Sequence, residues 1–283
     1  MEREFDRERD LPPLLALVAE ARASGHPHAF LHPGGLQWWL RKVGSPGFAV
    51  RLSPEGLLLE DAGYVVVQAV STSVDAHLRL LREAEERLRE RGATSIEVTA
   101  GDDDGELVAA LRSRGYTPSG TEGKELICRA DSGPHAPALP EGFSMRWLEP
   151  GLDDAYVELH RAAWSTIKPS TYDGAAHATV LAMPDFDRAL VPIVAAPDGT
   201  LAASCIAWFD PVTRTSEIEP LGTHPRYRRR GLARAVSVEA VRRSADRGAT
   251  SVLVWGVGDH RIALYRSAGF HPGRVLREYA RTL

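Results

Sequence analysis

Along the second half of the chain the apolar positions change period repeatedly, and each change marks an element. Residues 143–149, 190–196, Leu201–Asp210 and 215–222 predict strands, with the turn APDGT joining the middle pair. Helical periodicity predicts helices at Asp153–Trp164, at 170–183, at about 231–247 and at 261–268, with a further strand at Ser251–Val257. Helices on either side of a central sheet follow from that order. Earlier in the chain, GLQWWLRK reads as helical and FAVRL, GLLLED and GYVVVQAV read as strands.

The pattern also repeats. RGATSIEVTAGDDDGELVAALRSRGYTPSG, at 91–120, lies over RGATSVLVWGVGDHRIALYRSAGFHPGR, at 247–274, with one small gap. Each copy is the end of a charged helix, a β-branched strand, a polar turn, an amphipathic helix and a Gly-aromatic step, which points to duplication. The Pro/Ala/Gly-rich stretch between the copies lacks apolar periodicity and reads as a linker. The expected division is therefore a domain at 1–130, a linker at 131–141 and a domain at 142–283.

Composition narrows the classes. A chain of 283 residues with 43% hydrophobic and 25% charged residues is that of a globular protein with room for two cores. The formal charge of -4 and pI near 6.2 argue against a general nucleic-acid or membrane-surface binder. No apolar run is long enough to span a bilayer, and MEREFDRERDLPP is charged where a signal peptide would be apolar, so the expected location is cytoplasmic. Cys128 and Cys205 have no Cys or His companions at ligand spacing, so neither a disulfide framework nor a metal site is expected.

Against that acidic background, THPRYRRRGLARAV places Arg228, Arg229, Arg230 and Arg234 where a strand ends and a helix begins. Unpaired amides at a helix N-terminus, a glycine at Gly231 and a small residue at Ala233 suit anionic oxygens, and the arginines add charge. The other reading is a solvated basic turn. No GxxxxGK[ST] or strand-linked GxGxxG motif points to a nucleotide triphosphatase or a dinucleotide enzyme.

The same stretch resembles the acyl-CoA pyrophosphate-binding segment of the GCN5-related N-acetyltransferases, Arg/Gln-x-x-Gly-x-Gly/Ala, here Arg228-x-x-Gly231-x-Ala233. IALYRSAGF resembles the later helix of that family with its Tyr-x-x-x-Gly-Phe ending. The resemblance implies an α/β fold of two tandem GNAT-like domains, each a mixed, mostly antiparallel sheet flanked by helices. It implies acetyl-CoA as co-substrate in the second domain, with the pyrophosphate on the loop Arg228, Arg229, Arg230, Gly231, Leu232, Ala233 and Arg234. The pantetheine arm would run along Leu221, Gly222 and Thr223. Pro220 breaks a strand ladder, which fits a bulge or splay there, or an edge strand.

By the same resemblance Tyr265 is the general acid. Glu219, on the strand leading to the loop, is the candidate base, directly or through water, with Glu217 on the same strand face as a substitute. The plainer readings are a tyrosine packed beneath its helix and two solvated glutamates. His224 and His260 flank the motifs without an assigned role. In the first copy Asp75 aligns with Gly231 and Leu111 with Tyr265, so that copy is expected to be degenerate, without CoA or catalysis. Its Trp38, Trp39 and His32 are candidates for a cleft or for packing.

The expected function is transfer of an acetyl group from acetyl-CoA to a small primary amine, by direct attack in the C-terminal domain of a monomer or homodimer. The alternative is a non-catalytic acyl-CoA-binding sensor or scaffold. RNA binding is disfavoured because the basic cluster has only Tyr227 as an aromatic platform.

Overall fold

The computed structural model describes residues 5–25, 28–69, 73–132, 139–167 and 169–283. In chain order its main elements are α1 (Arg7–Ala23), α2 (Pro33–Leu40), β1 (Phe48–Ser53), β2 (Gly56–Asp61), β3 (Tyr64–Ala69), α3 (Val74–Glu90), β4 (Ser95–Gly101), α4 (Gly105–Ser113) and β5 (Thr117–Arg129). There follow β6 (Ser144–Trp147), α5 (Asp153–Trp164), α6 (Gly174–Leu181), β7 (Pro192–Ala195), β8 (Leu201–Asp210), β9 (Thr215–Thr223), α7 (Leu232–Asp246), β10 (Ser251–Val257), α8 (Asp259–Ser267) and β11 (His271–Thr282). Of the expected linker, 133–138 lie outside the described residues.

The chain folds as two units. The first comprises Met1–Pro33, Lys42–Glu125 and Arg274–Leu283. Its strands run in the order β1-β2-β3-β4-β11-β5, with β5 represented by 117–125. β1/β2, β2/β3 and β4/β11 are antiparallel, whereas β3 and β4 are parallel. α3 is the clearest product of its sequence: Val74, Leu81, Ala84 and Leu88 recur on one face and are buried, and Ser73 caps the N-terminus through the Asp75 N–H. That face packs with Val65, Val67, Val98, Leu107 and Leu111 in one core.

The second unit comprises Gly34–Arg41 and Leu126–Gly273. Its strand order is β5-β10-β9-β8-β7-β6, with β5 represented by 126–129. β6/β7, β7/β8 and β8/β9 are antiparallel, and β9/β10 are parallel because α7 crosses between them. α7 lays Leu232, Ala235, Val236, Val238 and Val241 against Ala203, Cys205, Ala207 and Ile218. Each unit is a mixed, mostly antiparallel sheet flanked by helices, as the resemblance implied.

Differences from the sequence reading are local. The helix expected at 170–183 begins only at Gly174, because Asp173 caps it by accepting from the Ala176 N–H. α1, which the sequence pattern left undivided, starts on the Asp6 cap and carries Pro12 and Pro13 near its beginning. Two short segments also cross the expected division: Gly34–Arg41 packs in the second unit and Arg274–Leu283 in the first. Non-local pairing decides both, and local periodicity does not encode it.

Candidate active site

β9 and β10 pair from Thr215↔Ser251 to Glu217↔Leu253 and then part. On its other side β9 stays paired with β8 as far as Ala203↔Thr223. There the register shifts between Cys205 and Ala207, so that Ile206 stands opposite both Glu219 and Pro220. Pro220 has no N–H for the ladder, and the bulge absorbs it. The Trp208 indole N–H donates to the Glu219 carbonyl. Bulge and splay are therefore both present, and β9 is not an edge strand.

Beyond the splay, the chain enters α7 through a loop held from beneath. Tyr227 is buried, and its hydroxyl donates to Asp198 at 3.0 Å while its ring meets Phe143 edge-on at 5.8 Å. Arg229 and Gly231 both take left-handed backbone conformations, with φ of 63° and 77°. Gly231 supplies no side-chain cap, and the first helical bond runs from the Ala235 N–H to the Gly231 carbonyl. The N–H groups of Leu232, Ala233 and Arg234 thus precede the helical ladder at the positive end of the dipole. A non-glycine residue in the left-handed region beside such amides is an arrangement that cradles anions.

The arginines divide their work. Arg228 turns away from the loop: its Nη2 donates to the Ala163 carbonyl at 2.8 Å and the Thr166 hydroxyl at 3.0 Å, at the C-terminal end of α5. Arg234 does the same for α8, with Nε donating to the Ser267 carbonyl at 2.6 Å. Arg230 lies over the Phe143 and Tyr227 rings at 5.8 and 5.9 Å. Arg229 is exposed. Two of the four thus satisfy helix C-termini, where cations are favoured. Arg228→Ala is expected to lower stability by about 1–2 kcal/mol, seen as a drop of several degrees in melting temperature, with Arg229→Ala leaving it unchanged.

Glu219 is half-buried on the bulge, and Tyr265 is buried on α8. Burial pushes the Tyr265 phenol well above its ordinary range, and the charge of Glu219 pushes it further, so the two lie near enough to interact. Tyr265 meets Phe270 edge-on at 5.8 Å, which fixes the ring on the Gly-Phe step. Glu217 is only 3% exposed. Gly222 lies directly beneath Trp164 and Ala163 of α5, and Leu221 packs on the α7 side. The structure therefore gathers Leu221, Gly222, Thr223, Glu219 and the loop 228–234 around one splay, with Tyr265 across it.

The family model described as Acetyltransferase (GNAT) family matches residues 153–270, the span that holds every element just described. A mycothiol acetyltransferase of Kineococcus radiotolerans is 33% identical over 212 residues, covering 71% of this chain and 66% of that enzyme, just under two thirds of its length. The chain is a GNAT-superfamily protein. Among solved structures, a tandem GNAT protein from the clavulanic acid biosynthesis pathway superposes with a TM-score of 0.67 at 15% identity, covering 99% of this chain and 97% of that one. A GCN5-related N-acetyltransferase from Sphaerobacter thermophilus gives 0.64 at 20% identity, covering 95% and 94%. Those two likenesses establish the fold.

The first unit of this GNAT protein repeats the plan with different chemistry. β3 and β4 pair in parallel at Tyr64↔Glu97 and Val65↔Val98, and α3 crosses between them. By helix start it is Ser73, not Asp75, that corresponds to Gly231, and Asp75 stands in the first turn. A side-chain cap and a carboxylate thus occupy the end that α7 leaves open. Leu111, in place of Tyr265, is fully buried.

Among the described residues no His/Cys/Asp/Glu group could hold a metal, and no helix is long and apolar enough to cross a membrane. Sequence reasoning missed the aromatic group on the α5 side of the GNAT sheet. His160 stacks on Trp164 at 4.5 Å and meets Tyr172 at a tilt at 4.2 Å, and burial, with the charges of Arg41 and His177, pushes its pKa down to about 3. His177 bridges the Tyr172 hydroxyl at 2.8 Å and Asp153 at 2.9 Å. Isolated histidines on an apolar helix face carry no sequence signal of this kind.

Proposed function

We propose that the protein is an acetyl-CoA-dependent N-acetyltransferase acting on a small primary amine, with its chemistry in the second half of the chain. The observation that carries this reading is the open, uncapped N-terminus of α7 beyond the β9/β10 splay, with Glu219 on β9 and Tyr265 beside Gly256 of β10. The donor set fits the ligand: free first-turn amides, a left-handed loop and exposed cations at Arg229 and Arg230 suit a pyrophosphate. The unpaired edge of β9 from Ile218 to Thr223 suits an extended amide-bearing arm.

Acetyl-CoA, when bound, supplies a thioester carbonyl open to attack. Glu219 takes the proton from the amine as nitrogen bonds to that carbon. Tyr265, which keeps its proton because of burial and the charge of Glu219, gives it to the sulfur as the carbon–sulfur bond breaks. Glu217 is the weaker candidate for the base, since it is sealed from solvent and Glu219 is not. The mycothiol acetyltransferase relative is consistent with acetyl transfer, and the acceptor here is proposed only as a class.

In the first unit, Ser73 and Asp75 fill the helix end, so one acetyl-CoA per chain is expected. Calorimetric titration of the whole protein with acetyl-CoA, read for stoichiometry, checks this. No binding would overturn the reading, and two sites per chain would overturn the assignment of the first unit. Binding with no transfer to any of a panel of amines would favour the sensor alternative.

A further inference from the structure

α2 comes from the first half of the sequence but belongs to the unit that holds the proposed chemistry. Three of its residues make the connection. Gly35, in the first turn, lies so close to Glu217 that a Cβ there would overlap the carboxylate. The start of a helix is its positive end, a suitable cover for a buried anion. Gln37 is bonded in both directions to Asp185: its Nε2 donates to the carboxylate at 2.5 Å, and its Oε1 accepts from the Asp185 N–H at 3.1 Å. Trp38, 3% exposed, sets its ring 5.5 Å from His160 and 5.4 Å from Tyr172.

These contacts lead to the reacting centre from two directions. Glu217 is two residues before Glu219 on the same strand. His160 stacks on Trp164, and Trp164 lies on Gly222. The opposite face of β9, through Ile218 and Leu221, is filled by the core beneath α7. An amine reaching Glu219 has therefore to pass the face that α5 and α2 cover.

We propose that Gly34–Arg41 is a positioning and specificity element of the transfer site: it seals Glu217 from water and, through Trp38, builds with His160 and Tyr172 the wall past which the acceptor approaches. This rests on the acetyltransferase reading. The catalytic domain is then discontinuous in sequence, and its acceptor side depends on residues from the degenerate copy.

The test uses the full chain with Gly35→Ala, Trp38→Leu and Trp38→Phe. Acetyl-CoA affinity is titrated, and transfer to a panel of alkylamines, aminosugars and amino-acid esters is followed by thiol release. Acetyl-CoA affinity is expected to stay within about threefold of wild type, because the α7 loop is built without α2. The kcat/KM for the best amine is expected to fall at least about tenfold in Gly35→Ala and Trp38→Leu, with Trp38→Phe recovering most of it. Trp38→Leu should also reorder preference within the panel.

A fall in amine kcat/KM while acetyl-CoA affinity and melting temperature hold, with recovery in Trp38→Phe, is a readout that a merely structural role would not give. Unchanged amine kcat/KM in both variants, or a fall that only follows loss of acetyl-CoA affinity, overturns the proposal. A wild-type protein that transfers to no amine instead defeats the acetyltransferase reading, and this inference with it.

Discussion

Gly231→Asp is expected to remove acetyl-CoA binding, with a loss of at least about a hundredfold in affinity, while the protein stays folded. Gly231 has a φ of 77°, and nothing lies within 4 Å of the position its Cβ would take. The substitution therefore meets no steric obstacle from the protein. An Asp there keeps the left-handed backbone at a cost of about 1–2 kcal/mol, which the fold can bear. Its carboxylate stands beside the first-turn amides proposed for the pyrophosphate and repels that charge, an interaction of several kcal/mol at contact distance. A hundredfold loss corresponds to about 2.7 kcal/mol, well within that range. Gly231→Ala is the control: it adds strain without charge, and should lower the melting temperature while costing less than about tenfold in affinity. Normal binding by the Asp variant would show that the ligand does not use this helix end.

Tyr265→Phe has the other large effect. Its kcat is expected to fall by about two to three orders of magnitude, the usual contribution of a positioned acid. Acetyl-CoA affinity should stay within about threefold, because the ring and its contact with Phe270 are kept. Burial and, after it, the charge of Glu219 raise the phenol's pKa, so the proton stays in place as pH rises through and beyond the ordinary tyrosine range. In the wild type, then, no alkaline loss of rate below about pH 10 should arise from this group. Transfer unchanged in the Phe variant would rule out an essential acid at this position. A fall in kcat matched by a fall in affinity would indicate packing instead.

Much of this was legible in the sequence because it is local. The Gly231 break, the apolar stripe of α7, the Pro220 bulge and the Tyr265-to-Phe270 step are each written within a few residues, and the structure has them in the expected order. What the four arginines do was less legible. Charge count suggests four ligands for an anion, but Arg228 and Arg234 bond carbonyls that end α5 and α8, elements distant in sequence. Trp38 was read as divided between cleft and packing, without a partner, because its neighbours His160 and Tyr172 lie in the other half of the chain. The Asp75 alignment counted back correctly from RGATS, yet α3 begins earlier than α7 by that count, which brings Ser73 to the cap.

The place of Arg274–Leu283 in the first unit bears on how the protein is made. β11 lies between β4 and β5, paired with β4 from Leu276↔Gly101 to Thr282↔Ser95. On the ribosome, β4 and the first part of β5 emerge early, but the strand that belongs between them is synthesised only after all of Leu126–Gly273. Until then the first unit has a missing rung, with backbone donors and acceptors of two strands open to other chains. The second unit differs, since its early segment, Gly34–Arg41, is made before the rest of it. A cut between the halves therefore leaves the N-terminal piece with a permanent gap in its sheet.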